Sequence, residues 1–157
     1  MSTLDIAHHQ AALALRVRQF HARLQDQLDE ALEQCGMTLR AKTTGIVQLL
    51  YQEGPCTVGH IAETLRYSRQ LAMQRLNWLI ENQLAVSQRD PGDRRRRLVS
   101  LTDAGRREGE MLQAFIPRLS ASFADLFAET GFDLNEAIDT ADRALATTPL
   151  IGRFPDA

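Results

Sequence analysis

Leu84-Ala85-Val86-Ser87-Gln88-Arg89, then Asp90-Pro91-Gly92-Asp93, then Arg94-Arg95-Arg96-Arg97-Leu98-Val99-Ser100-Leu101 is the stretch whose reading decides the fold. Two short strand-like runs flank a tetrapeptide with turn chemistry, and strands this short need each other, so the segment predicts a β-hairpin. Its tip carries four consecutive arginines. Successive side chains of a ribbon point to opposite sides, which divides the arginines into two pairs, and the sequence does not say which pair faces which way. Asp90 and Asp93 are placed to pin them by ion pairs. A solvated charge run is the bland alternative, but adjacent arginines repel one another unless a polyanion is present.

Upstream, Thr57 caps a predicted short helix with Ile61, Ala62 and Leu65 inward, and Arg66-Tyr67 makes a turn. Ser68 then caps a longer helix whose Ala72, Leu76, Leu79 and Ile80 face a core. A short helix, a tight turn and a longer helix form a helix–turn–helix, and the hairpin after it makes a wing. Before it, Thr38 is the expected cap of a helix bearing Ile46, Val47, Leu49 and Leu50, ended by Gly54-Pro55. The first helix is expected from Leu4 to Cys35, with Leu13, Val17, Phe20, Leu24, Leu28 and Ala31 in one stripe and Gly36 as its stop. At about 45 Å it is too long to bury that stripe in one small domain, so part of the stripe needs a partner.

After the hairpin, Thr102 caps a long helix carrying Leu112, Phe115, Ile116, Leu119, Phe123, Leu126 and Phe127, with Pro117 expected to kink it. Gly131 breaks it, and Asp133 with Glu136 starts a last helix bearing Leu134, Ala137, Ile138, Ala141 and Leu145. The predicted fold is mainly α with a small β-hairpin, in the order α-α-α-α-β-β-α-α. The 157 residues are expected to form a single domain with a winged lobe at 38–107 and helical regions at 1–36 and 108–157.

The net charge of -2 hides an asymmetry. Residues 38–107 hold twelve Lys/Arg and six acids, a net +6, whereas the remainder holds six and fourteen, a net -8. A basic middle between acidic flanks is what a polyanion-binding module leaves in a sequence. No apolar run approaches the ~20 residues that span a bilayer, and the N-terminus has no signal pattern, so a cytoplasmic protein is expected. Cys35 and Cys56 fit free structural thiols, with oxidant sensing as the alternative. His8, His9 and His21 lack ligand spacing, so no metal is expected, and no cofactor or catalytic motif appears.

On the helix opened by Ser68, the core positions leave Arg69, Gln70, Met73, Gln74 and Asn77 on the free face. Arginine can read guanine and glutamine adenine by paired hydrogen bonds, and Met73 can meet a thymine methyl. Backbone amides behind Ser68 and Thr57 suit phosphates. Phe20, Trp78 and Phe115 are candidates for an effector pocket, although aromatics at helical spacing more often form core or interface.

Residues of about 38–107 resemble the MarR family of bacterial transcription regulators. The resemblance rests on Thr57–Leu65, on Leu84-Ala85-Val86, on Asp90–Arg95 and above all on Leu98-Val99-Ser100-Leu101-Thr102-Asp103-Ala104-Gly105-Arg106. It implies a homodimer joined through the N- and C-terminal helices, with one recognition helix, Ser68–Ile80, and one wing per subunit. It also implies double-stranded DNA as partner, no enzymatic activity, repression at a pseudo-palindromic operator, and release by a small-molecule effector. The family's wing aspartate and arginine fall on Asp93 and Arg95. Two other uses of such a lobe remain open: docking an acidic protein, or carrying a ligand without binding DNA. The chain departs from the family pattern at Arg66 and Gln83, where glycine is usual; a left-handed backbone there would cost about 1 kcal/mol. It also departs at His60, Gln70, Leu71, Met73 and Trp78, so an operator sequence does not carry over.

Overall fold

The computed structural model describes residues 12–90, 92–93 and 97–154. Their elements are α1 (Leu13–Gln34), α2 (Ala41–Glu53), α3 (Val58–Thr64), α4 (Arg69–Glu81), β1 (Ala85–Arg89), β2 (Arg97–Leu101), α5 (Asp103–Thr130) and α6 (Leu134–Thr147), followed by a 3-10 turn at Leu150–Arg153. The order matches the sequence expectation, and the 3-10 turn is an addition to it. The described residues fall into two compact units that divide inside α5, between Ala114 and Phe115.

The core of the first unit lies where α2, α4 and the hairpin meet. Ile46, Val47, Leu49 and Leu50 of α2, Ile61 and Ala62 of α3, Ala72, Leu76 and Leu79 of α4, and Val99 and Leu101 of β2 are buried. Apolar positions at helical spacing on α2 and α4 meet alternate positions of β2, which is how a small lobe closes without metal or disulfide. Ile80 does not join them. It is 37% exposed, because α4's inward face is narrower than the four apolar residues suggest. The stripe on α1 behaves as its length demands. Leu32 is buried, Leu24 and Leu28 are half-buried, and Leu13, Val17 and Phe20 are exposed.

Four of the predicted caps form. Thr57 Oγ1 accepts the His60 amide at 3.2 Å, and Ser68 Oγ accepts that of Leu71 at 3.1 Å. Thr102 Oγ1 accepts the Gly105 amide at 3.1 Å, and Asp133 Oδ1 accepts those of Asn135 at 2.8 Å and Glu136 at 3.3 Å. Thr38 does not cap α2. The helix starts three residues later, its Ala41 amide donating to Asp29 Oδ1 of α1 at 2.6 Å. Thr38 instead donates its amide (2.9 Å) and hydroxyl (2.7 Å) to Oε1 of Glu108, a buried carboxylate on α5. A buried charge must be hydrogen-bonded, and Thr38 supplies that need from seventy residues away.

Helices α1, α3 and α4 end alike. In each, the amide two positions past the cap residue reaches back to the same helix: Met37 to Leu32, Tyr67 to Ala62, Leu84 to Leu79. This Schellman closure needs a left-handed residue in the middle. Gly36 takes that conformation at φ 79°, as do Arg66 at 53° and Gln83 at 59°. Both departures from the family's glycines therefore sit in left-handed backbone, the condition under which a side chain there is strained. Gly105 is required for a different reason: a Cβ there would lie 1.9 Å from the Leu84 carbonyl oxygen, so only glycine lets α5 start this close to β1.

In the second unit, Phe123 and Phe127 stack with ring centroids 6.3 Å apart. The α5 helix continues through Pro117. No residue of α6 is buried. Among the described residues no helix is long and apolar enough to cross a membrane.

Candidate nucleic-acid interface

Strands β1 and β2 pair antiparallel in the register Ala85–Leu101, Val86–Ser100, Ser87–Val99, Gln88–Leu98 and Arg89–Arg97. Directly opposed residues share a face, so Ala85, Ser87, Arg89, Arg97, Val99 and Leu101 lie on one side. That side is buried at Ala85, Val99 and Leu101, hence it is the side turned toward the helices. Arg97 is therefore on the helix-facing side, which the sequence alone leaves open. Its guanidinium donates to Ser87, from Nε to Oγ at 3.1 Å and from Nη2 to the carbonyl oxygen at 3.2 Å. At the turn, Asp90 Oδ1 accepts the Gly92 amide at 2.8 Å, an Asx closure. Arg94, Arg95 and Arg96 lie outside the described residues.

The hairpin is tied to the helix–turn–helix through one residue that the sequence presents only as a thiol. Cys56 exchanges both backbone hydrogen bonds with Val99, at 3.1 and 2.8 Å, immediately before the Thr57 cap. One bridge thus sets the start of α3 against the middle of β2. A lone bridge has no periodicity, so no pattern in the sequence announces it. The Cys56 side chain is buried, and burial, followed by the nearby Glu53 carboxylate, pushes its thiol up to about 11. A thiol of that kind stays neutral at physiological pH and is a poor nucleophile.

An open groove of about 620 Å³ runs between α3, α4 and the wing, lined by Thr57, Val58, Gly59, Arg69, Gln70, Met73 and Arg97. Gly59 faces Arg69, and a Cβ on it would meet the guanidinium in ordinary contact at 3.5 Å. Arg69, Gln70, Met73, Gln74 and Asn77 are all exposed, with Met73 at 42%. The sequence-derived face of α4 is thus presented as a surface, and four of the predicted residues (Thr57, Arg69, Gln70 and Met73) meet Arg97 in one groove. Ser68 and Asp93 are exposed as well; Ser68 Oγ is engaged as the α4 cap. Two side chains outside the prediction brace the assembly. His60 Nε2 lies 2.6 Å from Glu53 Oε2, joining α3 to α2, and the Arg75 guanidinium sits 4.3 Å from the Tyr67 ring centroid.

A second groove of about 490 Å³ is lined by Thr38, Asn82, Gln83, Leu84, Ala104, Arg107, Glu108 and Met111. Neither groove is lined by Phe20, Trp78 or Phe115; Phe20 is exposed, Trp78 half-buried and Phe115 buried. Among the described residues no group of three or more His, Cys, Asp or Glu is gathered for a metal, and His8 and His9 lie outside them.

The MarR family model matches residues 36–96, which include the helix–turn–helix and the hairpin turn. Solved MarR-type structures share the fold of nearly the whole chain. The PcaV transcriptional regulator of Streptomyces coelicolor, in complex with its natural ligand, superposes with a TM-score of 0.66 at 24% identity, covering 94% of this chain and 99% of PcaV. The S. aureus MepR–DNA complex gives 0.67 at 19% identity, with 90% and 99% covered. The heme sensor PefR of Streptococcus agalactiae, bound to heme, gives 0.62 at 15%, with 91% and 98% covered. No curated protein sequence matches the chain. The fold is a winged helix of the MarR type.

Proposed function

We propose that the chain is a sequence-specific, DNA-binding transcription regulator that acts in the cytoplasm as a homodimeric repressor. The observation that carries this reading is the groove between α4 and the wing, where Arg69, Gln70 and Met73 of a major-groove-sized helix meet Arg97 of the hairpin. Arg69, Gln70 and Gln74 read base edges, Met73 contacts a thymine methyl, and Asn77 lies at the groove's margin. Amides at the N-terminus of α4, behind Ser68, take a phosphate. Asp93 and Arg94–Arg97 supply wing affinity and shape readout.

Dimerisation through 1–36 and 108–157 is supported by exposed apolar side chains at both ends of the chain: Leu13, Val17 and Phe20 on α1, and Ile138, Leu145, Leu150, Ile151 and Phe154 after Gly131. A two-fold dimer presents its recognition helices about 34 Å apart, so the operator is a pseudo-palindrome. A small-molecule effector releases DNA by changing the separation of the two lobes. PcaV and PefR, both solved with a small molecule bound, make that regulation the natural extension of the fold.

Binding-site selection on the purified protein, followed by salt titration on the selected duplex, tests the reading. Replacing Arg94–Arg97 with Ala flattens the log–log salt slope by about 0.9 for each phosphate that is no longer neutralised. Gln70→Ala and Gln74→Ala relax sequence preference while largely sparing affinity for a scrambled duplex. Selection that enriches no sequence, or a slope the wing substitution leaves unchanged, overturns the reading.

A further inference from the structure

Arg89 and Arg97 are the terminal pair of the hairpin ladder, directly opposed and on the helix-facing side. Directly opposed residues of an antiparallel pair lie within about 5.5 Å, so two like charges here destabilise the free ribbon. Both side chains are exposed, and among the described residues neither takes part in an ion pair. Of the neighbouring carboxylates, Asp90 accepts the Gly92 amide. Ser87, two residues before Arg89 and on the same face, holds Arg97 through two bonds, which fix its Nε and Nη2.

We propose that Arg89 and Arg97 together form one anion site at the end of the wing that takes a single backbone phosphate of duplex DNA, with Ser87 as the residue that positions Arg97. This rests on the regulator reading given above. A phosphodiester presents two free oxygens, and two guanidinium groups carried on opposed residues of the two strands match them better than either alone. The bound phosphate also cancels the repulsion that the register builds into the free hairpin. Arg89 has no part in reading bases; it fixes where the duplex crosses the wing, beside the groove in which Arg69 lies.

The test measures affinity and salt slope on two duplexes, one recovered by selection on the wild-type protein and one scrambled. Arg89→Ala weakens both by the same factor, about three- to tenfold at about 0.15 M salt, and lowers the slope by about 0.9. The double variant Arg89→Ala/Arg97→Ala lowers it no further, because one phosphate is lost only once. Arg89→Ala also raises the melting temperature of the free protein by about 1–3 °C, so binding and stability move in opposite directions. Ser87→Ala weakens binding in the wild-type background, has no effect once Arg97 is Ala, and is rescued by Ser87→Thr. Additive slope changes would assign the arginines to separate phosphates and overturn the single site. A loss confined to the selected duplex would make Arg89 a base reader and overturn it equally. If Arg89→Ala changes nothing while the wild-type protein binds, this site alone falls; if the wild-type protein binds neither duplex, the regulator reading falls and the site falls with it.

Discussion

Helices α4 and α6 are thirteen and fourteen residues long, and each starts from a side-chain cap, Ser68 in one and Asp133 in the other. In α4, Ala72, Leu76 and Leu79 are fully enclosed by the first unit. In α6 the apolar residues have the same helical spacing, yet Ile138 is 56% and Leu145 48% exposed and nothing on the helix is buried. Local sequence makes both helices; only one is packed against a partner among the described residues. Helices this short are marginal in water without a packed face, so α6 depends on a surface its own unit does not supply. Under the proposed function that surface is a second copy of the chain.

Substitution on the two helices should therefore differ in kind as well as size. Leu76→Ala removes a fully buried side chain and costs about 2–5 kcal/mol, read as a lowered urea midpoint at every protein concentration. Ile138→Asp with Leu145→Asp should leave the first unit folded while converting dimer to monomer by sedimentation. It should also abolish the dependence of melting temperature on concentration that a dimer shows. A double variant that stays dimeric would remove α6 from the interface.

The two cysteines repeat the contrast on a smaller scale, Cys56 buried and Cys35 half-buried. Cys56 has its thiol raised to about 11, first by desolvation and then by Glu53. The folded state therefore holds that proton more tightly than the unfolded chain, whose thiol titrates near 9.0. Its contribution to stability is complete below about pH 9 and is lost as pH rises toward 11. Urea unfolding between about pH 8 and 11 should show this decline, and Cys56→Ala should lack that part of it. At about pH 7.5 native Cys56 should resist alkylation on the timescale that labels it in urea. Rapid native labelling would show the Cys56–Val99 bridge opening and would loosen the assigned coupling of wing to helix–turn–helix.

The same distinction between local and remote partners explains what the sequence reveals and what it hides. Thr57, Ser68, Thr102 and Asp133 each cap a helix through an amide two or three residues on, so spacing alone finds them. Thr38 has the same chemistry and a helix just ahead, but Glu108 claims it from α5, and nothing near residue 38 reports that. The candidate site divides likewise. The exposed face of α4 follows from which of its residues are apolar. The side on which Arg97 lies follows from ladder register and the burial of Val99 and Leu101, and the sequence carries neither. Arg89 escapes sequence reading because it precedes the turn, outside the arginine run, and only the register sets it opposite Arg97.

The smallest expected effect concerns the three matched helix ends. Gly36, Arg66 and Gln83 occupy the same left-handed position in the same closure, so the protein carries its own control. A side chain in that region carries a steric penalty of about 1 kcal/mol that glycine avoids, offset in part by glycine's larger entropy when unfolded. Arg66→Gly and Gln83→Gly should each stabilise the protein by about 0.5 kcal/mol, raising the melting temperature by about 1–2 °C. Gly36→Ala should lower it by a comparable or larger amount. The two gains should add, because the closures are on separate helices and share no hydrogen bond. Arg66→Gly also removes a cation from the basic lobe, whereas Gln83→Gly removes none. If Arg66→Gly weakens duplex binding and flattens the salt slope while Gln83→Gly leaves both unchanged, the strain at residue 66 is tolerated because its charge serves DNA binding. If both substitutions stabilise and neither alters binding, the two turns are alike and the arginine at 66 serves no function that glycine would not.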